Sequence, residues 1–111
     1  SILAIIAADK GKIKEIKIYL YLLEVRIKIY DSFSLKDKRR TVKSILDYAR
    51  NNLSISASEV SDHEFVNMAS LAFVSVSNDN DFSKSLLEKV IKRIEENYQV
   101  EILEENIQRL L

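Results

Sequence analysis

The chain has 111 residues, which is enough for one domain with its own hydrophobic core and too few for two. Its 17 basic and 17 acidic residues cancel, so any attraction to nucleic acid or to an anionic membrane has to be local. The absence of cysteine excludes disulfides and thiolate metal sites, and 47% hydrophobic with 31% charged residues is typical of a globular intracellular domain, so we expect a cytoplasmic protein.

Residues 1–17 are interpreted as an N-terminal extension that either pairs as a strand or is disordered. Their apolar run, Ile2 to Ala8, has no basic residues before it. It is also much shorter than the roughly 20 apolar residues that span a bilayer. A signal peptide is therefore the less favoured alternative, and we expect no membrane partner.

A long strand is predicted from Ile16 onward, because apolar side chains recur at every second position. This set is Tyr19, Tyr21, Leu23, Val25, Ile27 and Ile29. The positions between them change from Leu20 and Leu22 to charged residues, so one face of the sheet belongs to the core and the other is solvated or meets a partner. Ser34, with Asp37 three residues later, predicts the capped start of a helix.

The helix that follows has two different sides. At about 100° per residue its apolar residues form one stripe, which consists of Leu35, Val42, Ile45, Leu46, Ala49 and Leu53. A basic stripe lies roughly 120° away and consists of Lys36, Arg40, Lys43 and Arg50. Asn51 and Asn52 suit the helix end.

The second half of the chain repeats the alternation of strands and helix. Residues 53–60 alternate apolar side chains with serine and predict a strand, which a turn at SDHEF connects to residues 67–78. Residues 67–78 are apolar at nearly every position, which is typical of a central strand. Asp79 and Asp81 start a second helix, since negative charge is favourable there. QVEILEE predicts a last strand, and residues 106–111 a polar tail.

The order strand, helix, strand, strand, helix, strand predicts an α+β protein of the ferredoxin-like type. Such a βαββαβ domain has a four-stranded antiparallel sheet with two helices on one face. We expect it to span residues 18–105.

Four segments resemble the YlxP-like family, small bacterial proteins of unknown function. They are LEVRI at 23–27, SLKDKRRTVKSIL at 34–46, SEV at 58–60 and VSND at 76–79. The sequence departs from the family at residues 66–68, where the family often has an aromatic residue followed by Gln-Arg. The resemblance implies a ferredoxin-like fold in the bacterial cytosol. Genes of the YlxP-like family typically stand beside those for translation initiation factor two and ribosome-binding factor A. This neighbourhood implies a role in translation or ribosome maturation.

The candidate binding residues are five bases at the start of the first helix, Lys36, Lys38, Arg39, Arg40 and Lys43. The first turn of a helix carries partial positive charge, so bases there lower stability unless something compensates them. A phosphate would do so, and an RNA backbone is its extended form. We expect contacts to RNA, with ribosomal RNA or a ribosomal subunit as partner, and none to DNA. The equal alternative is internal pairing with the nearest acids, Glu24, Glu59, Glu104 or Glu105.

Enzymatic and cofactor-dependent functions have little support. His63 is the only histidine and is expected in a solvated turn rather than at a zinc site. Gly11 is the only glycine, so the sequence has no glycine-rich phosphate loop. Residues 72–76 weakly resemble an RNA-recognition motif, but aromatic residues are missing from the stacking positions and Phe73 is expected to be buried. We therefore expect a binding protein without catalysis, metal or cofactor.

The main alternative function is a homo-oligomeric interaction module with no nucleic-acid role. A homodimer would form through the sheet face without helices, where apolar residues recur at Leu20, Leu22 and Tyr30, with Leu110 and Leu111 of the tail. RNA binding should weaken steeply with salt, whereas an apolar dimer should survive it.

Overall fold

The computed structural model describes residues 16–111 of the chain. Its helices and strands are, in chain order, β1 (Tyr19–Ile29), α1 (Leu35–Asn52), β2 (Ser56–Ser61), β3 (Met68–Ser77), α2 (Asn80–Asn97) and β4 (Val100–Arg109). The predicted N-terminal extension lies, apart from its last two residues, outside the described residues. Among the described residues, no helix has the length and apolar character needed to cross a membrane.

The four strands form one antiparallel sheet in the order β2-β3-β1-β4. β1 lies in the centre and pairs with β3 on one side and with β4 on the other. β2 follows β1 along the chain, separated only by α1, but lies on the far side of β3. This order, with the β-α-β-β-α-β sequence of elements, confirms the α+β ferredoxin-like fold.

The core lies between one face of the sheet and the two helices. The alternating set predicted in β1 is buried from Tyr21 to Ile29, with Tyr19 partly buried at its end. Phe73, in β3, is fully buried on this face, as predicted. The apolar sides of α1 and α2 contribute to the same cluster, so neither of these two helices lies on the opposite face of the sheet.

Both helices begin with the caps that their sequences predict. In α1 the Ser34 Oγ accepts a hydrogen bond from the Asp37 N–H at 3.0 Å, and the Asp37 carboxylate accepts one from the Phe33 N–H at 3.2 Å. In α2 the Asp79 carboxylate accepts a hydrogen bond from the Phe82 N–H at 3.0 Å. These bonds satisfy N–H groups that the first turn leaves without helical partners.

The C-terminal strand is longer than predicted. β4 continues to Arg109, so most of the segment expected to be a polar tail pairs with β1, for example Asn106 opposite Glu24. The Leu110 N–H then donates to the Leu20 carbonyl at 2.7 Å. In this added segment Ile107 packs against the core, while Asn106, Gln108 and Arg109 are exposed. An edge strand can be held by its backbone pairing while such polar side chains face water, so one apolar residue was too weak a strand signal.

Candidate functional site

The five bases at the start of α1 fall into two groups. Four are exposed on one side of the helix: Lys36, Arg39, Arg40 and Lys43. We call these four residues the outer face of α1. Lys38 is buried, with 2% of its surface exposed. The structure therefore does not bring all five candidate residues to one surface.

Lys38 points into the protein and is bound there. Its Nζ donates a hydrogen bond to the Asp62 carbonyl at 2.6 Å and lies 2.9 Å from Glu59 Oε2. A buried ammonium needs such partners, because burial removes the water that would otherwise solvate its charge. Of the two interpretations of the bases, internal pairing with Glu59 describes Lys38. We exclude it from the candidate interface, because its charge is not available to an external anion.

Asp62 connects this buried lysine to the sheet. Its backbone is in the left-handed region, with φ of 63°, and its carboxylate accepts hydrogen bonds from Ser70 Oγ and from Arg26 Nε, the latter at 3.0 Å. The Ser70 bond is the largest cause that lowers the pKa of the Asp62 carboxyl; desolvation opposes it, and Arg26 adds to the lowering. We call Lys38, Glu59, Asp62, Arg26 and Ser70 the Lys38 network.

The outer face of α1 is mostly free of internal partners. Lys43 pairs with Asp47, one helical turn away, and the two side chains are 77% and 38% exposed, so this pair contributes only about a few tenths of a kcal/mol. Within residues 16–111, Lys36, Arg39 and Arg40 form no ion pair and donate no side-chain hydrogen bond.

The other acids that were alternative partners do not reach this face. Glu24 and Glu104 lie on the sheet, and neither they nor Glu105 form an ion pair within the part of the chain that the structure describes. Arg50, at the far end of the predicted basic stripe, donates to the Ala57 carbonyl at 2.5 Å. It is therefore tied to β2.

Phe33 lies beside the outer face and was not recognised from the sequence. It is 82% exposed and stands directly before the cap residue Ser34. In a hydrophobic staple the residue at this position packs against the fourth residue of the helix. In α1 that residue is Lys38, which points inward to Asp62. The absence of an apolar residue at position 38 was the available signal that Phe33 would be left in solvent.

The loop that holds Phe33 is fixed to the loop between β2 and β3. Ser32 is buried, and its Oγ donates to the Val66 carbonyl at 2.5 Å. This bond places Phe65 and Val66, which are 43% and 37% exposed, at the same end of the molecule as Phe33. This end of the molecule therefore carries exposed apolar side chains from two loops, next to the exposed bases of the outer face of α1.

The sheet face opposite to α1 and α2 has the opposite electrostatic character. A groove of about 580 Å³ lies on it, with an apolar floor that includes Leu22 and Ala72. Glu24 and Glu104 line this groove together with Arg26, whose guanidinium is bonded to Asp62. Such a surface repels phosphate. Because Phe73 faces the helices, the sheet also lacks the aromatic platform on which RNA-recognition domains stack bases.

The only histidine lies where the sequence predicted it. His63 is exposed in the turn between β2 and β3. Within residues 16–111, no group of three or more histidine, cysteine, aspartate or glutamate side chains is placed to hold a metal ion.

Residues 20–107 match the profile of a family described as a protein of unknown function, DUF503. The chain belongs to this family. The match covers both helices completely and all but the outermost residues of the sheet, and it includes the whole outer face of α1. A comparison with curated proteins finds no match.

Proposed function

We propose that this DUF503 protein is a non-enzymatic RNA-binding protein of the bacterial cytoplasm that uses the outer face of α1. Its partner is ribosomal RNA or a ribosomal subunit, and its role lies in translation or ribosome maturation. The observation that carries the proposal is that Lys36, Arg39 and Arg40 are exposed and unpaired within the described residues. The resemblance to the YlxP-like family supports the placement in translation.

The spacing of the four bases suits a phosphate backbone. Positions 36, 39, 40 and 43 follow the three- and four-residue steps that keep side chains on one side of a helix. Their span along the axis is roughly 10 Å at 1.5 Å per residue, which covers a few successive phosphates. Because the protein has no net charge, such a patch decides where a polyanion binds.

Unpaired bases at the start of a helix are unfavourable for folding alone. Lys36 lies in the first turn of α1, where partial positive charge from free N–H groups repels it. α2 begins instead with Asp79 and Asp81, so the basic start is particular to α1. A bound phosphate would remove this repulsion and gain charge-assisted hydrogen bonds.

The test is the double variant Arg39→Glu/Arg40→Glu in an RNA-binding titration at about 50 and 200 mM salt. Four phosphate contacts to a single strand predict a slope of about −3 for the logarithm of the binding constant against that of the salt concentration. We expect this salt-sensitive binding in the wild type and its loss in the variant. The matched control is Lys89→Glu/Lys92→Glu, which makes the same charge change at exposed positions of α2.

Thermal unfolding of all three proteins accompanies the titration, so that loss of binding is not confused with loss of folding. Binding that the control abolishes equally, or that does not change with salt, contradicts the proposal. A wild type that binds neither ribosomal RNA nor ribosomal subunits contradicts it as well.

A homodimer through the helix-free face of the sheet is the second candidate. Val76 and Val60 are 60% and 54% exposed, and Leu20 and Leu22 lie half-buried on the same sheet. Such an interface would be largely apolar at its centre and insensitive to salt. Sedimentation velocity of the wild type and of Val76→Lys at low and high salt tests it: a dimer that the substitution dissociates supports this candidate, and a monomer at all concentrations excludes it.

A further inference from the structure

We infer that the outer face of α1 selects single-stranded RNA, and that the Phe33 ring stacks on one of its bases. This inference rests on the proposed function and names the class of RNA. It starts from an observation that phosphate binding does not explain: an aromatic ring stands in solvent beside the cations.

Phe33 is the most exposed large hydrophobic side chain among the described residues, at 82%. An apolar ring in water contributes little to the stability of the fold and is available to a partner outside the chain. No lysine or arginine within residues 16–111 lies over this ring, although four such cation–π contacts occur at tyrosines elsewhere in the described chain. Within the described residues, neither face of the ring is covered by a cation.

The loop holds Phe33 in place on both sides. Ser32 before it is buried and bonded to the Val66 carbonyl, and Ser34 after it caps α1. The Phe33 N–H is itself bonded to the Asp37 carboxylate. A side chain presented from such a fixed backbone loses little conformational freedom when it binds, which favours contact with a ligand.

An exposed ring next to free cations matches the chemistry of single-stranded nucleic acid. Proteins that bind single strands combine two features. Positively charged side chains follow the phosphate backbone, and aromatic side chains stack on the nucleobases. Paired bases inside a duplex are already stacked on their neighbours and do not offer a free face. The outer face alone would suit any polyanion, whereas Phe33 beside Lys36 favours a strand with accessible bases.

The rest of the described chain offers no better place for such a strand. The sheet face carries Glu24 and Glu104, which form no ion pair within residues 16–111, and Phe73 faces the helices. Phe65, 43% exposed on the loop bonded to Ser32, gives the same end of the molecule a second ring. A strand that follows the outer face toward the start of α1 therefore meets aromatic side chains there.

The experiment compares two labelled probes, an unstructured RNA of about 12 nucleotides and the blunt duplex of the same sequence, by fluorescence anisotropy. The variants are Phe33→Ala and Phe33→Tyr. Phe82→Ala is the matched control, because Phe82 is a half-exposed phenylalanine in the first turn of the other helix. Sedimentation velocity of each protein is recorded under the same conditions.

We expect the wild type to prefer the single strand and Phe33→Ala to weaken that binding about tenfold. Phe33→Tyr should retain it, and Phe82→Ala should not change it. The salt slope of Phe33→Ala should equal that of the wild type, since the substitution removes no phosphate contact.

Other outcomes separate this inference from the proposed function. Equal, salt-sensitive binding of both probes by the wild type and by Phe33→Ala overturns the inference and leaves the proposed function standing. Binding of neither probe by the wild type overturns the inference, and it overturns the proposed function as well if ribosomal RNA and ribosomal subunits are also not bound. A Phe33→Ala variant that binds RNA normally but loses self-association assigns the ring to a protein contact, which also overturns the inference.

Discussion

Lys38 and Arg39 are neighbours in the sequence, yet they lie in opposite surroundings. In the Lys38 network the ammonium is buried and bonded to the Asp62 carbonyl, with Glu59 beside it. On the outer face of α1 the Arg39 guanidinium is exposed and unpaired within the described residues. A cluster of bases in a sequence is therefore not one surface, and internal pairing and ligand binding describe different members of the same cluster.

The geometry of the helix explains the separation. Successive residues are rotated by about 100°, so Lys38 shares a side of α1 with Val42 and Ile45, which follow at four and seven residues. That side faces the sheet. Lys36, Arg39, Arg40 and Lys43 are rotated away from it and face solvent.

The largest expected effect on stability comes from a substitution that breaks the Lys38 network. Lys38→Met should lower the free energy of unfolding by about 2–4 kcal/mol, because it leaves the partly buried Glu59 carboxylate and the Asp62 carbonyl without their cation. Urea unfolding measures this. The double variant Lys38→Met/Glu59→Gln should recover part of the loss, since it removes the unpaired charge.

RNA binding by the folded Lys38→Met protein sharpens the same comparison. Its salt dependence should equal that of the wild type, because Lys38 contacts no phosphate in the proposed complex. A loss of less than about 1 kcal/mol in the free energy of unfolding would show that the Lys38 network does not stabilise the fold. Loss of RNA binding by the folded variant would show that Lys38 belongs to the same binding surface as the outer face of α1.

A smaller effect is expected at Asp62. Asp62→Asn keeps the backbone carbonyl that binds Lys38 and suits the left-handed backbone, but it removes the carboxylate that accepts from Ser70 and Arg26. The hydrogen bond from Ser70 leads the lowering of the Asp62 pKa below its ordinary 3.8 in the folded protein. The charged carboxylate therefore stabilises the fold above that pH, and this contribution is lost as the pH falls through the folded-state pKa.

Chemical unfolding of the wild type and of Asp62→Asn, at about pH 7 and below about pH 4, measures this dependence. The variant should be less stable at neutral pH, and the difference between the two proteins should shrink in acid. A difference that is the same at both pH values, or that grows in acid, would mean that the carboxylate charge does not stabilise the Lys38 network.

The smallest effect is expected on the outer face and has the opposite sign. Lys36→Glu places a negative charge in the first turn of α1 and should raise the free energy of unfolding by about 0.3–1 kcal/mol. The same substitution should weaken RNA binding. Thermal unfolding and the RNA titration measure the two changes, and a variant that is less stable than the wild type would show that Lys36 has a stabilising partner.

Most of the fold follows from local features of the chain. The two-residue period of β1, the apolar stripes of the helices and the caps at Ser34 and Asp79 are properties of neighbouring residues, and each predicts its element at nearly the observed position. The continuation of β4 to Arg109 was not predictable in this way. It depends on backbone pairing with β1, and the polar side chains of an edge strand leave no pattern of burial.

In the candidate site, too, some features follow from the sequence and others only from the tertiary structure. The sequence by itself determined that α1 begins with a concentration of bases and that an apolar stripe runs along its other side. Only the tertiary structure decided that Lys38 is buried. Its partners Glu59 and Asp62 reach it from the end of β2 and from the loop that follows. A charge is stable inside a protein only where the fold supplies such partners. It likewise decided that Phe33 stands in solvent, since the exposure of a side chain depends on which distant segments cover it.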